Sequence, residues 1–382
     1  MKKVIYFDKE MSIEDIKSLG INEVILSTSY FSRFGKLSKN DLDNALNILN
    51  DFSGIVSFEW DVLVRDSLFD EMIHQFESLD LKRVDALRVL DPGVYQYAIE
   101  KNWDIFLMLD SGPFHNPLAI KSFIGLGKDL VKKIVVSIEL DQLELKEIID
   151  QLNIDTEYLG YGRILLFYTP RNLVTPLFGN EDKWIEVSAN SEESPHKGFP
   201  VVENIHGTFM FNPKDHFVLE FLDDINDIGI NEIRIDNRFL SHELTKELLK
   251  FDDKEFNPKD VKSALPRNVI RGFFHKNKSD ALFKKLKNYR IMRQDKDYLG
   301  QVIEVEKDHH IGIYLRNEVD ANSIRKVLLV TPEGKEKSAT PHQIKDFCGD
   351  DFVNGGYGDI IFIPHISGIS VKTNVYLDIS NT

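Results

Sequence analysis

Apolar residues along this chain fall into short unbroken runs, and the intervals between the runs follow a different period. Residues 4–7 (VIYF), 23–28 (EVILST), 54–60 (GIVSFEW), 86–90 (ALRVL), 104–109 (DIFLML) and 133–139 (KIVVSIE) are rich in β-branched, leucine and aromatic side chains. Near-continuous runs of this kind predict strands covered on both faces. A seventh strand is expected within 158–168 and an eighth at 232–236 (EIRID). Between the runs, apolar positions recur every three or four residues. Leu42, Ala45, Leu46 and Leu49 share one helical face, and 141–151 is similarly amphipathic. Ser12 caps a first helix that Gly20 ends, and Asn116-Pro117 opens another. Further helices are expected at 67–79, after Asp91-Pro92-Gly93, at 213–228 and at 241–249.

This alternation predicts an α/β fold, a (β/α)8 TIM-like barrel over residues 1–270. An open doubly wound sheet is the alternative. One irregular stretch precedes residue 200, and 201–211 (VVENIHGTFMF) reads as an extra extended segment. From Tyr298 the texture changes to short strands and turn signals such as Pro332-Glu333-Gly334 and Asn354-Gly355-Gly356. Residues 298–382 therefore read as a small all-β barrel, joined to the first by a basic connecting segment at 271–297.

Composition narrows the function classes. The 26 phenylalanines point to an aromatic interior, and a net charge of −15 argues against a general polyanion-binding surface. Cys348 is the only cysteine, so an internal disulfide, a structural zinc site or a cysteine-bound cluster is not expected. No metal site or cofactor is predicted. The apolar run after Lys2-Lys3 is too short for a secretory leader, and no segment is long enough to span a membrane. A cytoplasmic protein without a membrane partner is expected.

Barrel chemistry is placed at the C-terminal ends of the strands. There the chain carries Arg33, Glu59, Asp61, Asp110, His115, Glu139, Arg163, Arg234, Asp236 and Arg238, with Arg171, Glu203 and His206 in the irregular region. Arginine forks among carboxylates suit an anionic small molecule. Arg33, His115, Arg163, Arg171, Glu203, His206, Arg234 and Asp236 are the candidate substrate-binding residues. Glu139, read as part of an apolar strand, is the candidate acid or base; the competing reading has it pair with an arginine and close the mouth. Zincin, serine-elbow and complete glycine-loop motifs are absent. Residues 267–293 form a basic stripe with interleaved aromatics. Within it Arg271, Lys284, Lys285, Lys287 and Arg290 are candidate nucleic-acid contacts, the alternative being a solvated linker helix.

The chain resembles the peptidase U32 (collagenase-like) family along most of its length. The resemblance is carried by 30–33 with 41–48, 85–99 (DALRVLDPGVYQYAI), 133–148, 162–171 (GRILLFYTPR), 203–211, 229–236 (GINEIRID), Arg271-Gly272-Phe273 and Tyr298-Leu299-Gly300. It implies a barrel with a small β appendage. It also implies either peptide hydrolysis, as the family name says, or hydroxylation of transfer RNA, ribosomal RNA or ubiquinone precursors. Some relatives are associated with a cluster held by four cysteines, and some with prephenate as cosubstrate. One cluster cysteine typically follows the arginine of the GR…R segment, where this chain has Arg171-Asn172. Two functional readings result. One is an enzyme that binds an anionic small molecule and modifies RNA or a small molecule, or hydrolyses peptides. The other is a non-catalytic accessory or RNA-binding subunit, partnered by RNA or a cluster-bearing paralogue.

Overall fold

A computed structural model describes residues 1–110, 114–178, 184–190, 197–275, 297–332 and 334–378. The chain divides into two compact units, Met1–Asn277 and Lys278–Thr382.

In the first unit, β1 (Lys2–Tyr6), β2 (Ile21–Leu26), β3 (Ile55–Trp60), β4 (Ala86–Val89), β5 (Asp104–Met108), β6 (Val131–Val135) and β7 (Asp155–Gly162) lie side by side in chain order, all parallel. The next three strands, β8 (Leu165–Thr169), β9 (Trp184–Ala189) and β10 (Phe199–Asn204), join β11 (Gly207–Phe211) in a separate antiparallel sheet ordered β8-β11-β10-β9. After β12 (Asp215–Phe217), strand β13 (Glu232–Ile235) pairs in parallel with both β7 and β1, which closes an eight-stranded barrel. A two-residue β14 (Val269–Ile270) lies against β12. The parallel barrel agrees with the pattern of apolar runs.

Three local expectations are corrected. The sixth strand stops at Val135, so Ser137 and Glu139 lie beyond it in a turn. The extended segment at 201–211 is a hairpin turning at Ile205-His206. Its glycine is required there: Gly207 has φ +119°, and a Cβ would fall 2.1 Å from the Thr169 carbonyl oxygen as β11 crosses to β8. The helix expected at 213–228 is only Leu222–Asp227, because 215–217 finds ladder partners in β7 and β14.

Helices cover the barrel through an apolar shell. Within it Phe31, Phe58, Trp60 and Phe76 pack ring against ring at centroid separations of 4.8 to 5.7 Å.

In the second unit, β15 (Tyr298–Glu306), β16 (His310–Leu315), β17 (Val319–Asp320), β18 (Val327–Val330), β19 (Glu336–Ala339), β20 (Asn354–Gly355), β21 (Ile360–Pro364) and β22 (Asn374–Leu377) are all antiparallel. They form a sheet ordered β19-β18-β22-β15-β16-β21 and a short β17–β20 ladder. Its interior is aliphatic, with Val302, Ile311, Ile313, Leu329 and Val375 buried.

Candidate functional site

Aliphatic layers usually fill such a barrel. Here Glu23 on β2, Arg88 on β4, Lys133 on β6, Glu157 on β7, and Glu232 and Arg234 on β13 are buried together. Arg88 reaches Glu23 at 2.8 Å and Glu157 at 2.6 and 2.8 Å. Lys133 Nζ contacts Glu23, lies 2.5 Å from Glu232 and 3.2 Å from Glu157. Among the described residues, the oxygens of these three glutamates lie within 4.8 Å of one another, close enough to hold a cation. The Lys133 ammonium occupies that role. Burial alone would push the Glu157 carboxyl up, but Arg88, Lys133 and Arg234 outweigh it and hold it far below its ordinary range.

Arg234 carries this column to the strand ends. Its Nε lies 3.1 Å from Glu157, Nη1 donates to Tyr6 Oη at 2.9 Å, and Nη2 donates to Asp110 at 2.9 Å. Tyr6 Oη in turn donates to Glu59 at 2.7 Å. Arg238 lies 3.7 Å over the Tyr6 ring and bridges Asp236, at 2.7 and 2.9 Å, to Glu59 at 3.0 Å. Arg33 holds Asp61 through its backbone amide at 2.7 Å and Nε at 2.8 Å. Burial and the nearby Asp61 raise the Glu59 carboxyl. Asp61 is also buried, yet Arg33 and Arg238 keep it ionised at lower pH than usual.

Of these groups, Tyr6, Arg33, Asp61, Asp110, Arg234, Asp236 and Arg238 line a cavity of about 250 Å³ at the C-terminal ends of the strands. Its apolar side comes from Phe34, Met108, Leu159, Phe211 and Phe239. Arg163 follows β7 and stacks 3.7 Å over Phe239. Its side chain is only 11% exposed; Nη2 donates to Glu186 at 2.6 Å, and Nη1 has no hydrogen-bond partner among the described residues. Asp110 Oδ1 is likewise buried and has no partner among the described residues. A buried polar atom left unsatisfied costs about 1–3 kcal/mol, so either atom can be met by water or by a ligand group that enters the cavity.

Of the residues expected to bind substrate, Arg33, Arg163, Arg234 and Asp236 meet at this cavity, and Glu139 lies on its lining. The burial expected of Glu139 is not found. Its side chain is 61% exposed because the strand ends four residues earlier. Glu203 does not line the cavity. It is buried and accepts from the amides of Val174 (2.7 Å) and Thr175 (2.8 Å) and from the hydroxyls of Thr175 and Thr208. Burial opposes its ionisation, but these donors bring its carboxyl down to about 2. It is a loop anchor. Arg171 and His206 line a neighbouring cleft of about 770 Å³, where His206 Nε2 donates to the Ser29 carbonyl at 2.9 Å. Arg271 is exposed on the barrel unit, whereas Lys284, Lys285, Lys287 and Arg290 lie outside the described residues. Tyr6, Glu23, Arg88, Lys133 and Glu157 were not singled out by sequence reasoning as site residues.

A serine, a histidine and a carboxylate do meet at the rim. His115 Nε2 lies 3.2 Å from Ser137 Oγ and 3.6 Å from Glu139. Both approach the same ring nitrogen. A proton relay needs the acid on one nitrogen and the serine on the other, so this trio is not one.

A family model described as peptidase family U32 matches residues 12–281. The chain belongs to peptidase family U32. The tRNA hydroxylation protein P2 of Bacillus subtilis (strain 168) is 22% identical to this U32 protein over 268 residues, covering 63% of this chain and 86% of that protein. The structure of the U32 peptidase Mk0906 overlaps 46% of this chain and 72% of its own, at 11% identity and a TM-score of 0.36. The donor set of the present chain does not fit a four-thiolate cluster. Its single cysteine, Cys348, is exposed and belongs to the second unit. No described helix is long and apolar enough to cross a membrane.

Proposed function

We propose that this U32 protein binds a small carboxylate-bearing molecule in the barrel-mouth cavity and acts in RNA modification. The observation that carries the reading is Arg163. Arg33, Arg234 and Arg238 are each held by buried or half-buried carboxylates. Among the described residues, Arg163 is paired only with the exposed Glu186 and keeps one buried nitrogen without a hydrogen-bond partner. It is the guanidinium most available to an incoming carboxylate, while Asp110 Oδ1 would accept from a hydroxyl on the same ligand and the phenylalanines would cover an apolar body. The RNA part of the proposal follows the name of the tRNA hydroxylation relative.

Isothermal calorimetry with prephenate and other dicarboxylates tests the binding role. A charge-assisted hydrogen bond contributes roughly 1.5–3 kcal/mol, so Arg163→Ala should weaken binding by about ten- to a hundredfold. No heat with the wild-type protein, or equal affinity in the variant, removes the proposal.

A second reading, a non-catalytic accessory subunit, is favoured by the single exposed cysteine. Co-purification with a cluster-bearing paralogue, together with absence of turnover by the protein alone, would support it. Peptide hydrolysis is disfavoured by the shared ring nitrogen of His115. Casein cleavage that Glu139→Gln abolishes would revive it.

A further inference from the structure

The neighbouring cleft differs from the cavity in its electrostatics. Every arginine lining the cavity has a carboxylate partner. The two that line the cleft, Arg65 and Arg171, are exposed and, among the described residues, make no ion pair or side-chain hydrogen bond. Glu71 is the single carboxylate on the cleft lining, which leaves an excess of positive charge. This is a local reversal of sign in a chain of net charge −15.

The remaining surface is as specific. Tyr30 sits edge-on to Phe31 at 5.0 Å and stays 37% exposed. Leu63, Leu68 and Ile205 add exposed apolar surface beside it. The carboxamide of Asn172 is exposed and makes no hydrogen bond among the described residues. His206, whose Nε2 is spent on Ser29, has only Nδ1 left, an acceptor in the neutral ring.

We propose that this cleft docks one nucleotide of a single-stranded RNA, with its base on Tyr30 and its flanking phosphates on Arg65 and Arg171. An acidic peptide would use the two guanidiniums but has no need of an aromatic face beside a free amide and an imidazole acceptor. A nucleotide uses all of them: a π face to stack, polar edges for Asn172 and His206, and phosphates for the arginine forks. The inference rests on the RNA reading above and places the polymer outside the cavity, which is left for the small ligand.

Fluorescence anisotropy with a labelled 12-nucleotide single-stranded RNA and the full chain, from 50 to 200 mM salt, tests it. The double variant Arg65→Gln/Arg171→Gln should bind at least tenfold more weakly. Its slope of log K against log salt should be shallower by about 1.4, the share of two single-strand phosphates. Tyr30→Ala should lose at least fivefold, and Tyr30→Phe should keep wild-type affinity. If wild type binds and the double variant matches it in affinity and slope, the cleft assignment is overturned and the RNA reading stands. If wild type shows no binding at 50 mM salt, the RNA reading falls and takes the cleft with it. A glutamate-rich peptide that competes with equal affinity would assign the cleft to an acidic protein and overturn the proposal.

Discussion

Replacing Lys133 by methionine keeps the aliphatic stem and removes the ammonium from among Glu23, Glu157 and Glu232. Breaking a buried ion pair by deleting one partner costs about 3–5 kcal/mol, because a charge is left behind without compensation. Arg88 still serves Glu23 and Glu157. The damage concentrates on Glu232, which among the described residues keeps only Lys2, 3.1 Å away and half-exposed. The expected loss is therefore at the low end, about 3 kcal/mol. For a unit of this size that is a fall of roughly 6–12 °C in Tm. Urea unfolding at pH 7, followed by far-UV circular dichroism, measures it directly. Adding Glu232→Gln to Lys133→Met removes the stranded charge and should recover at least half the loss. A single-variant loss below about 1 kcal/mol, or a double variant as unstable as the sum of the singles, would refute the coupling.

Two predictions concern acid. His216 is wholly buried, and burial pushes its imidazolium down to about 4 from an ordinary 6.5. A depressed value means the unfolded chain binds the proton first. Stability is then complete above 6.5 and falls by about 3 kcal/mol as pH drops toward 4. Urea midpoints for His216→Leu should be flat across that window apart from other groups; an unchanged slope counts against it. Glu203, brought down from 4.5 to about 2, stabilises above 4.5 and loses that contribution as pH falls from about 4.5 to 2. Glu203→Gln should remove this lower-pH step, and a variant whose midpoint still drops equally there would show the carboxylate is not its source.

The barrel was legible because its strands are apolar on the outward face, toward the helices, and in several cases on both. Its interior was not. Glu23, Arg88 and Lys133 each read locally as a charged interruption in a strand, the usual mark of a solvent-facing position. What makes them interior is a partner 65 to 110 residues away, as in the Arg88–Glu23 and Lys133–Glu23 bonds, and spacing along one strand carries no such information. Glu139 failed for a different reason. In KIVVSIE, Val136 and Ile138 carry the apolar character past Val135, so nothing in it marks the departure of the chain from the sheet there. Glu203 and Arg163 looked alike as charged residues near strand ends. They separate only once the hairpin places Glu203 over the amides of Val174 and Thr175 and leaves Arg163 with a free nitrogen.

The ionic axis of the barrel also governs how it answers to temperature. Exposing apolar surface on unfolding raises the heat capacity by about 0.45 cal/K/mol per Å², whereas exposing polar surface lowers it by about 0.26. Where a barrel filled with valine and isoleucine would release only oily area from its axis, this one releases six acidic and basic side chains, Glu23, Arg88, Lys133, Glu157, Glu232 and Arg234. Its free energy of unfolding therefore curves less with temperature than that of an aliphatic barrel of equal length. Because the hydration of ions weakens on heating, the network holds its value at temperatures where hydrophobic burial has stopped gaining.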